Sequence, residues 1–430
     1  MAAERVEVAQ AQVSTARIVL ASLVGTTIEF YDFYIYGTAA ALVIGGTFFP
    51  GGDPSLQALS AFLTFGIAFL ARPIGSVLFG HFGDRIGRKS TLVGSMLVMG
   101  CATTLIGALP GYAQAGIAAP VLLCLLRLFQ GIGLGGEWGG AALLAVENAP
   151  RKQRAWFGMF PQLGPPIGFL LANGFFLALL LGLGEERFLA FGWRIPFLAS
   201  AVLVGVGLYV RVTLAETPAF VAAAERGDRA RVPIMEVLRD HGVPLIQGSL
   251  AMVVCYALFY ISTVFALSYG TGVKHIPRID FLGLLCMAVM FMALATPISA
   301  LLADMIGRRP VLLAGCAMAA LSGLGLPRLL GSGDPFDALI FLSMELALMG
   351  FTFAPMGALL PELFPTRVRY TGASTAYNIG GILGASLAPS LAQLLLLRGG
   401  LPWVGDYVTV AALISFLAVL SMKETQSSAL

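Results

Sequence analysis

"GHFGDRIGRKS" at residues 80–90 returns as "ALLADMIGRRP" at residues 300–310, which puts Asp84 and Asp304 in matching places. Each copy follows a long apolar stretch and carries a cluster of basic residues. A second pair repeats at nearly the same offset: "ENAPRKQR" runs from Glu147 to Arg154 and "ELFPTRVR" from Glu362 to Arg369, both reading E-x-x-P-x-x-x-R. When two such pairs fall on one side of a hydrophobic slab, they imply two parallel repeats related by an axis along the membrane normal.

Composition supplies the slab. Hydrophobic residues make up 58% of the chain and charged residues 11%, whereas soluble domains run at about 25% charged. A spanning helix needs about 20 mainly apolar residues, and stretches of that length fall near 18–46, 57–80, 90–110, 119–146, 155–182, 193–213, 243–271, 279–303, 309–330, 336–361, 370–397 and 403–422. The expected fold is therefore an all-α membrane protein, with twelve transmembrane helices in two six-helix pseudo-repeats. Its parts are a cytoplasmic N-terminus at 1–17, an N-terminal bundle at 18–213, a cytoplasmic linker at 214–242, a C-terminal bundle at 243–422 and a cytoplasmic C-terminus at 423–430. Within the linker, "VPIMEVLRDH" reads as a short surface helix.

Placing the N-terminus inside puts most Lys and Arg in loops on that side, as the positive-inside rule requires. The net charge of +3 then reports topology, and no nucleic-acid partner is indicated. Residues 1–16 hold no signal-peptide core. The five cysteines lie in apolar stretches without paired spacing, so neither a disulfide framework nor a metal site is expected. The three histidines sit in loops or at span ends. With no nucleophile–base pair in sight, the chain does not read as an enzyme.

Charge inside the spans carries the function. A charged side chain at the bilayer centre costs about 3 kcal/mol on insertion scales and tends to mark a substrate or proton path. Glu29 and Asp32 lie on one helix face in the first span, with Phe33 and Tyr36 extending the stripe. Desolvation and a nearby arginine push a carboxylate's proton affinity in opposite directions, and an acid balanced between them can load and release a proton. Asp32 is the main candidate, with Glu29 and Glu137 as further proton sites; a constitutive ion pair is the competing explanation. Arg72 and Arg127 favour an anionic or zwitterionic substrate, since guanidinium binds carboxylate bidentately, though either could simply neutralise a neighbouring acid. Tyr31, Gln162, Tyr260, Tyr377 and Asn378 complete the candidate substrate set. In span four, Arg127, Gln130, Leu134 and Glu137 share a face, and the glycines of "GIGLGGEWGG" suit close helix packing. Glu345, alone in span ten, reads as a structural acid.

The pattern G-x-x-x-D-R-x-G-R-K, here Gly80, Asp84, Arg85, Gly87, Arg88 and Lys89, resembles the cytoplasmic signature of the major facilitator superfamily. "EFYDFYIYG", "FLARPIGSVLFGHFGDRIGRKS", "RLFQGIGLGGEWGGAALLAVENAP", "GWRIPFL" and "ELFPTRVRYTGAS" are similar to its metabolite:H+ symporter family, most of all the shikimate-type branch. The resemblance implies the major facilitator fold in a bacterial inner membrane, with both termini cytoplasmic. It implies proton-coupled uptake of a small organic acid or zwitterion by alternating access, the family's cargoes being shikimate, α-ketoglutarate, citrate, proline and betaine. The proton is the coupling ion and no cofactor is expected; the other partner is membrane lipid, and the chain is expected to act as a monomer. The signature residues, with Glu147, Arg154, Asp304, Arg308, Glu362 and Arg369, are the candidate cytoplasmic gate. Two features depart from the pattern. Met252 and Cys255 stand where the family often shows an Arg and a Glu. Gly164, Pro165 and Gly168 resemble part of an antiporter motif, G-P-x-x-G, with Phe160 where that motif expects glycine, so the alternative is a proton-coupled exporter of a drug or metabolite.

Overall fold

A computed structural model describes residues 15–426, apart from 50, 52, 87, 136, 148, 214–232 and 366–367. Long apolar runs in hydrocarbon must satisfy their backbone groups internally, and a helix does so within one segment. Among the described residues the apolar stretches form twelve long helices. In the first half they are α1 (Thr15–Ala39, continued by Ala40–Ile44 and Gly45–Phe48), α2 (Pro54–Ile86), α3 (Arg88–Ala108), α4 (Ala118–Leu134 and Glu137–Glu147), α5 (Arg154–Leu183) and α6 (Ile195–Thr213). In the second they are α7 (Gly242–Tyr260, continued by Ile261–Phe265 and Ala266–Gly272), α8 (Arg278–Ile306), α9 (Arg308–Leu329), α10 (Pro335–Phe353 and Met356–Glu362), α11 (Arg369–Gly381, Ile382–Ser386 and Ala388–Gly399) and α12 (Leu401–Leu420). Ten of them are long and apolar enough to cross a membrane over their described residues. Between the halves, Pro233–Asp240 forms a short helix.

α1 packs on α5, α2 on α4, and α3 on α6; in the second half α7 packs on α11 and α12, α8 on α10, and α9 on α12. The halves meet where α2 lies against α11 and α5 against α8, two contacts exchanged by the internal repeat. On α2 and α8, Leu63, Leu70, Ile74, Leu294, Ile298 and Leu301 turn outward and are exposed, as apolar groups facing lipid are.

Close backbone approach explains part of the glycine content. A Cβ on Gly131 would sit 2.1 Å from the Ala68 carbonyl oxygen, and one on Gly135 2.1 Å from that of Arg72. Only glycine fits there, so the α2–α4 seam is set by backbone contact. α4 carries the span expected over 119–146, described as Ala118–Leu134 and Glu137–Glu147 with Gly135 itself in a helical conformation. Wider, π-type turns interrupt α1 at Ala40–Ile44, α7 at Ile261–Phe265 and α11 at Ile382–Ser386; such turns occur frequently at functional sites.

Candidate functional site: a closed central cavity

Between the halves lies a small cavity walled by Phe30 and Tyr34 of α1, Pro165 of α5, Tyr256, Phe259 and Tyr260 of α7, Met349 and Phe353 of α10, and Tyr377 of α11. Its volume is about 10 Å³, room for one water at most. Aromatic contacts draw the walls together across the halves. Tyr34 stacks on Phe259 with centroids 4.9 Å apart, and Trp138 stacks on Tyr377 at 4.0 Å. Tyr260 and Tyr377 of the sequence-derived substrate set line this cavity. Tyr34, Phe259, Phe353 and Trp138 were not foreseen.

Asp32 is fully buried, and neither of its carboxylate oxygens has a hydrogen-bond partner. The Ser200 hydroxyl of α6 stands near enough to donate to it without the alignment of a formed bond, and Glu137 of α4 adds like charge nearby. Glu137 accepts a hydrogen bond from Ser95 at 3.1 Å. Glu29 is also buried, and its charge reaches the Tyr34 and Tyr377 hydroxyls. Tyr31 turns away from the cavity and donates to the Pro196 carbonyl at 3.2 Å.

The two arginines differ. Arg127 is consumed by local structure: it donates to the Thr64 and Phe65 carbonyls at 3.4 and 2.9 Å and to Gln130, and its guanidinium lies 3.8 Å from the Tyr36 ring centroid. Gln130 in turn donates to Thr103 at 2.8 Å and to the Asp32 carbonyl at 3.1 Å. Arg72 is equally buried, yet it makes no ion pair among the described residues and its Nε has no hydrogen-bond partner. Its guanidinium rests over Phe69 at 4.5 Å and Phe33 at 4.7 Å. From there its charge acts on the hydroxyls of Tyr34, Tyr256, Tyr260 and Tyr377. Arg72 and Asp32 are not paired with each other.

Below the cavity, Gln162 bridges the halves, accepting from Trp138 and donating to the Phe353 carbonyl, both at 3.1 Å. Asn378 donates to the Gly135 carbonyl at 3.2 Å. Both are cross-half fasteners in this closed state.

At the face bearing the basic loops, the repeated motifs exchange partners. Arg154 of the first half faces Glu362 of the second at 3.8 Å, and Arg369 of the second faces Glu147 of the first at 3.6 Å. Arg308 joins Glu362 at 3.2 Å and Asp304 at 3.0 Å. Asp304 also accepts from the N–H groups of Ala155 and Trp156 at 3.0 and 2.8 Å, so it caps the first turn of α5 across the interface. The tail beyond α12 joins this network. Glu424 accepts from the N–H groups of Arg308 and Arg309, both at 3.0 Å, and Thr425 donates to Glu362 at 2.6 Å. An acid at a helix N-terminus answers the helix dipole. The side chains of Asp84, Arg85, Arg88 and Lys89, with Gly80, lie outside the described set, and Gly87 lies outside the described residues altogether. At the opposite face, Arg278 pairs with Glu185 across the halves, and Ser386 donates to the Gly66 carbonyl at 3.2 Å. The cavity is thus sealed at both ends.

Two repeated six-helix halves around a sealed, aromatic, charge-bearing centre define a multi-pass membrane transporter of the major facilitator fold. A family model described as "Sugar (and other) transporter" matches residues 18–244 and 242–430, and the chain belongs to that family. Among curated relatives it is 51% identical to the inner membrane metabolite transport protein YhjE of Escherichia coli, over 97% of this chain and 96% of that one. It is 38% identical to the shikimate transporter of Escherichia coli, over 95% of each chain. It is also 36% identical to the proline/betaine transporter of Salmonella typhimurium, over 95% of this chain and 83% of that one. Among solved structures, the xylose transporter XylE of E. coli in a partially occluded inward-open conformation aligns with TM-score 0.75, at 18% identity, covering 97% of this chain and 99% of that one. That likeness concerns the fold.

Proposed function

We propose that the chain is a proton-coupled symporter that takes up a small organic acid or zwitterion across a bacterial inner membrane by alternating access, working as a monomer with its basic loops and both termini in the cytoplasm. The observation that carries this reading is one helix, α1, bearing a buried carboxylate without an aligned hydrogen bond at Asp32 and a cavity wall at Tyr34, with the Arg72 guanidinium, free of any ion pair among the described residues, behind that wall on Phe69 and next to the Tyr377 hydroxyl. A buried polar group without a partner is costly. A proton relieves that cost at Asp32, and a cargo carboxylate relieves it at Arg72. The names of the relatives, which include shikimate and proline/betaine transporters, support cargo of this class.

In the proposed cycle the Arg278–Glu185 face opens first, Asp32 takes a proton and the cargo carboxylate settles on Arg72. The halves then close around the cargo, which holds the central cavity wider than the one-water space of the empty closed state, and part at the basic-loop face, where the network around Glu362 must break. Coupling requires that empty, half-loaded and fully loaded forms differ in their freedom to switch. Asp84, Arg85, Arg88 and Lys89 are assigned to the same cytoplasmic gate.

The test is uptake of labelled candidates into proteoliposomes with and without an inward proton gradient, for the wild type and Asp32→Asn. Cargo and protons moving together support the reading. Opposite movement favours export, the alternative suggested by Pro165 of α5 at the cavity wall.

A further inference from the structure

Resting on the transport reading, a narrower statement about cargo follows from counting the charge available to it. Of the two arginines buried among the central helices, Arg127 has its donors spent on the Thr64 and Phe65 carbonyls and on Gln130, with Tyr36 across its face. Arg72 makes no ion pair among the described residues, its Nε is without a partner and its one polar side-chain neighbour is the neutral Tyr377 hydroxyl of the cavity wall, while Phe69 beneath the guanidinium touches Tyr256 and Tyr260 of that wall. The rest of that wall is Phe30, Phe259, Phe353, Met349 and Pro165, with no charged side chain among the lining residues.

We infer that the cargo is a monocarboxylate, held by its one carboxylate on Arg72, with a compact body of C–H or methyl groups packed on the aromatic rings, and that dicarboxylates and tricarboxylates are excluded. A guanidinium fork matches one carboxylate bidentately. A second carboxylate on the same cargo meets ring faces whose quadrupole is negative. Tyrosine hydroxyls can donate to it but cannot cancel its charge, and an uncompensated buried charge is expensive. The same faces favour apolar or cationic groups, so a ring body or a methylated ammonium is accepted where a second acid is not.

The experiment measures competition for uptake in proteoliposomes by acids matched in size: cyclohexanecarboxylate against cyclohexane-1,4-dicarboxylate, shikimate and glycine betaine against α-ketoglutarate and citrate, at a pH where the carboxylates are ionised. The expected result is that monocarboxylates compete at concentrations lower by about tenfold or more. Met349→Lys, which adds a second cation to the wall, should narrow or reverse that ratio. Should that variant fail to fold, the wild-type ratio decides alone. A wild-type protein that takes a dicarboxylate as well as its matched monocarboxylate, still driven by protons, overturns the inference and leaves the transport reading standing. A protein that moves no member of the panel removes both.

Discussion

At the basic-loop face the buried Arg154 and Arg369 reach acids of the opposite half, whereas at the centre Arg72 and Asp32, each buried, reach neither one another nor an opposite charge among the described residues. A buried ion pair nearly breaks even against the desolvation of its two members, so the value of the paired region lies in holding one arrangement of the halves rather than in adding stability. An unpartnered buried charge is a net cost to the folded state. A cost of that kind in the middle of a bilayer is what a transient partner would offset, which distinguishes a lock from a loading site. The contrast can be attacked from both sides.

The largest effect is expected at Asp32. Asp32→Asn keeps the shape of the side chain and removes its proton chemistry. Accumulation of label against its gradient should collapse to a ratio of about one, since differential loading is lost, while exchange of internal for external cargo persists. Measuring both in the same vesicles checks this, and undiminished accumulation by the variant would place the proton elsewhere.

Next comes the pair of arginines, which share a residue type and a depth but not a role. Arg72→Ala should weaken cargo binding by about 2–5 kcal/mol, as truncation of a buried charge contact does, with little change in the thermal unfolding of the detergent-solubilised protein. Arg127→Ala should do the reverse. It strands the Thr64 and Phe65 carbonyls and Gln130 in the interior, and a buried acceptor left without its donor costs about 1–3 kcal/mol of stability. Arg72→Lys retains the charge without the fork and should fall between wild type and Arg72→Ala in affinity. Equal effects of the two alanine variants on both readouts would erase the distinction between them.

How much of this was legible beforehand follows from which residues advertise themselves. Asp32, Arg72 and the exchanged motifs at Glu147/Arg154 and Glu362/Arg369 stand out because charge is rare in apolar spans and because the repeat doubles the signal. The direction each side chain faces was less legible. Phe30, Tyr31, Phe33, Tyr34 and Tyr36 are all nearly inaccessible, so α1 is buried on every side here and no amphipathic stripe marks its cavity face. Tyr31 therefore looked as suitable as Tyr34, yet it bonds to Pro196 while Tyr34 lines the cavity. Trp138 carries no charge to single it out among apolar neighbours, and its stacking on Tyr377 needs the second half beside it. Glu424 lay in a segment read as a plain tail; its role as a cap needs the N-terminus of α9 beside it, a contact between residues more than a hundred positions apart.

A smaller effect is expected from loosening the lock. Glu362 holds Arg154, Arg308 and Thr425 at once, so Glu362→Gln weakens every strand of that node without emptying its volume. The population open at the basic-loop face should rise by a factor of about 5–150, the range of coupling energies of 1–3 kcal/mol. A cysteine placed at Ala358, buried beneath the node, reports this through its rate of maleimide labelling. An unchanged rate would mean that the node is not what keeps that face shut.

The least effect belongs to the pair at the other end. Arg278 and Glu185 also join the two halves, but Glu185 is 55% exposed and Arg278 29% exposed at the side chain, so water screens them and the pair is worth about 0–1 kcal/mol. Arg278→Gln should leave thermal stability unchanged and shift the labelling of a cysteine at the outer end of the cavity by no more than about fivefold, the factor that 1 kcal/mol commands. The opposite pole of the comparison is tested by the same numbers. If Arg278→Gln opened its face as readily as Glu362→Gln opens the other, burial would not be what separates a lock from an ornament, and the seal opposite the basic loops would have to rest on the Ser386–Gly66 contact and the aromatic packing behind it.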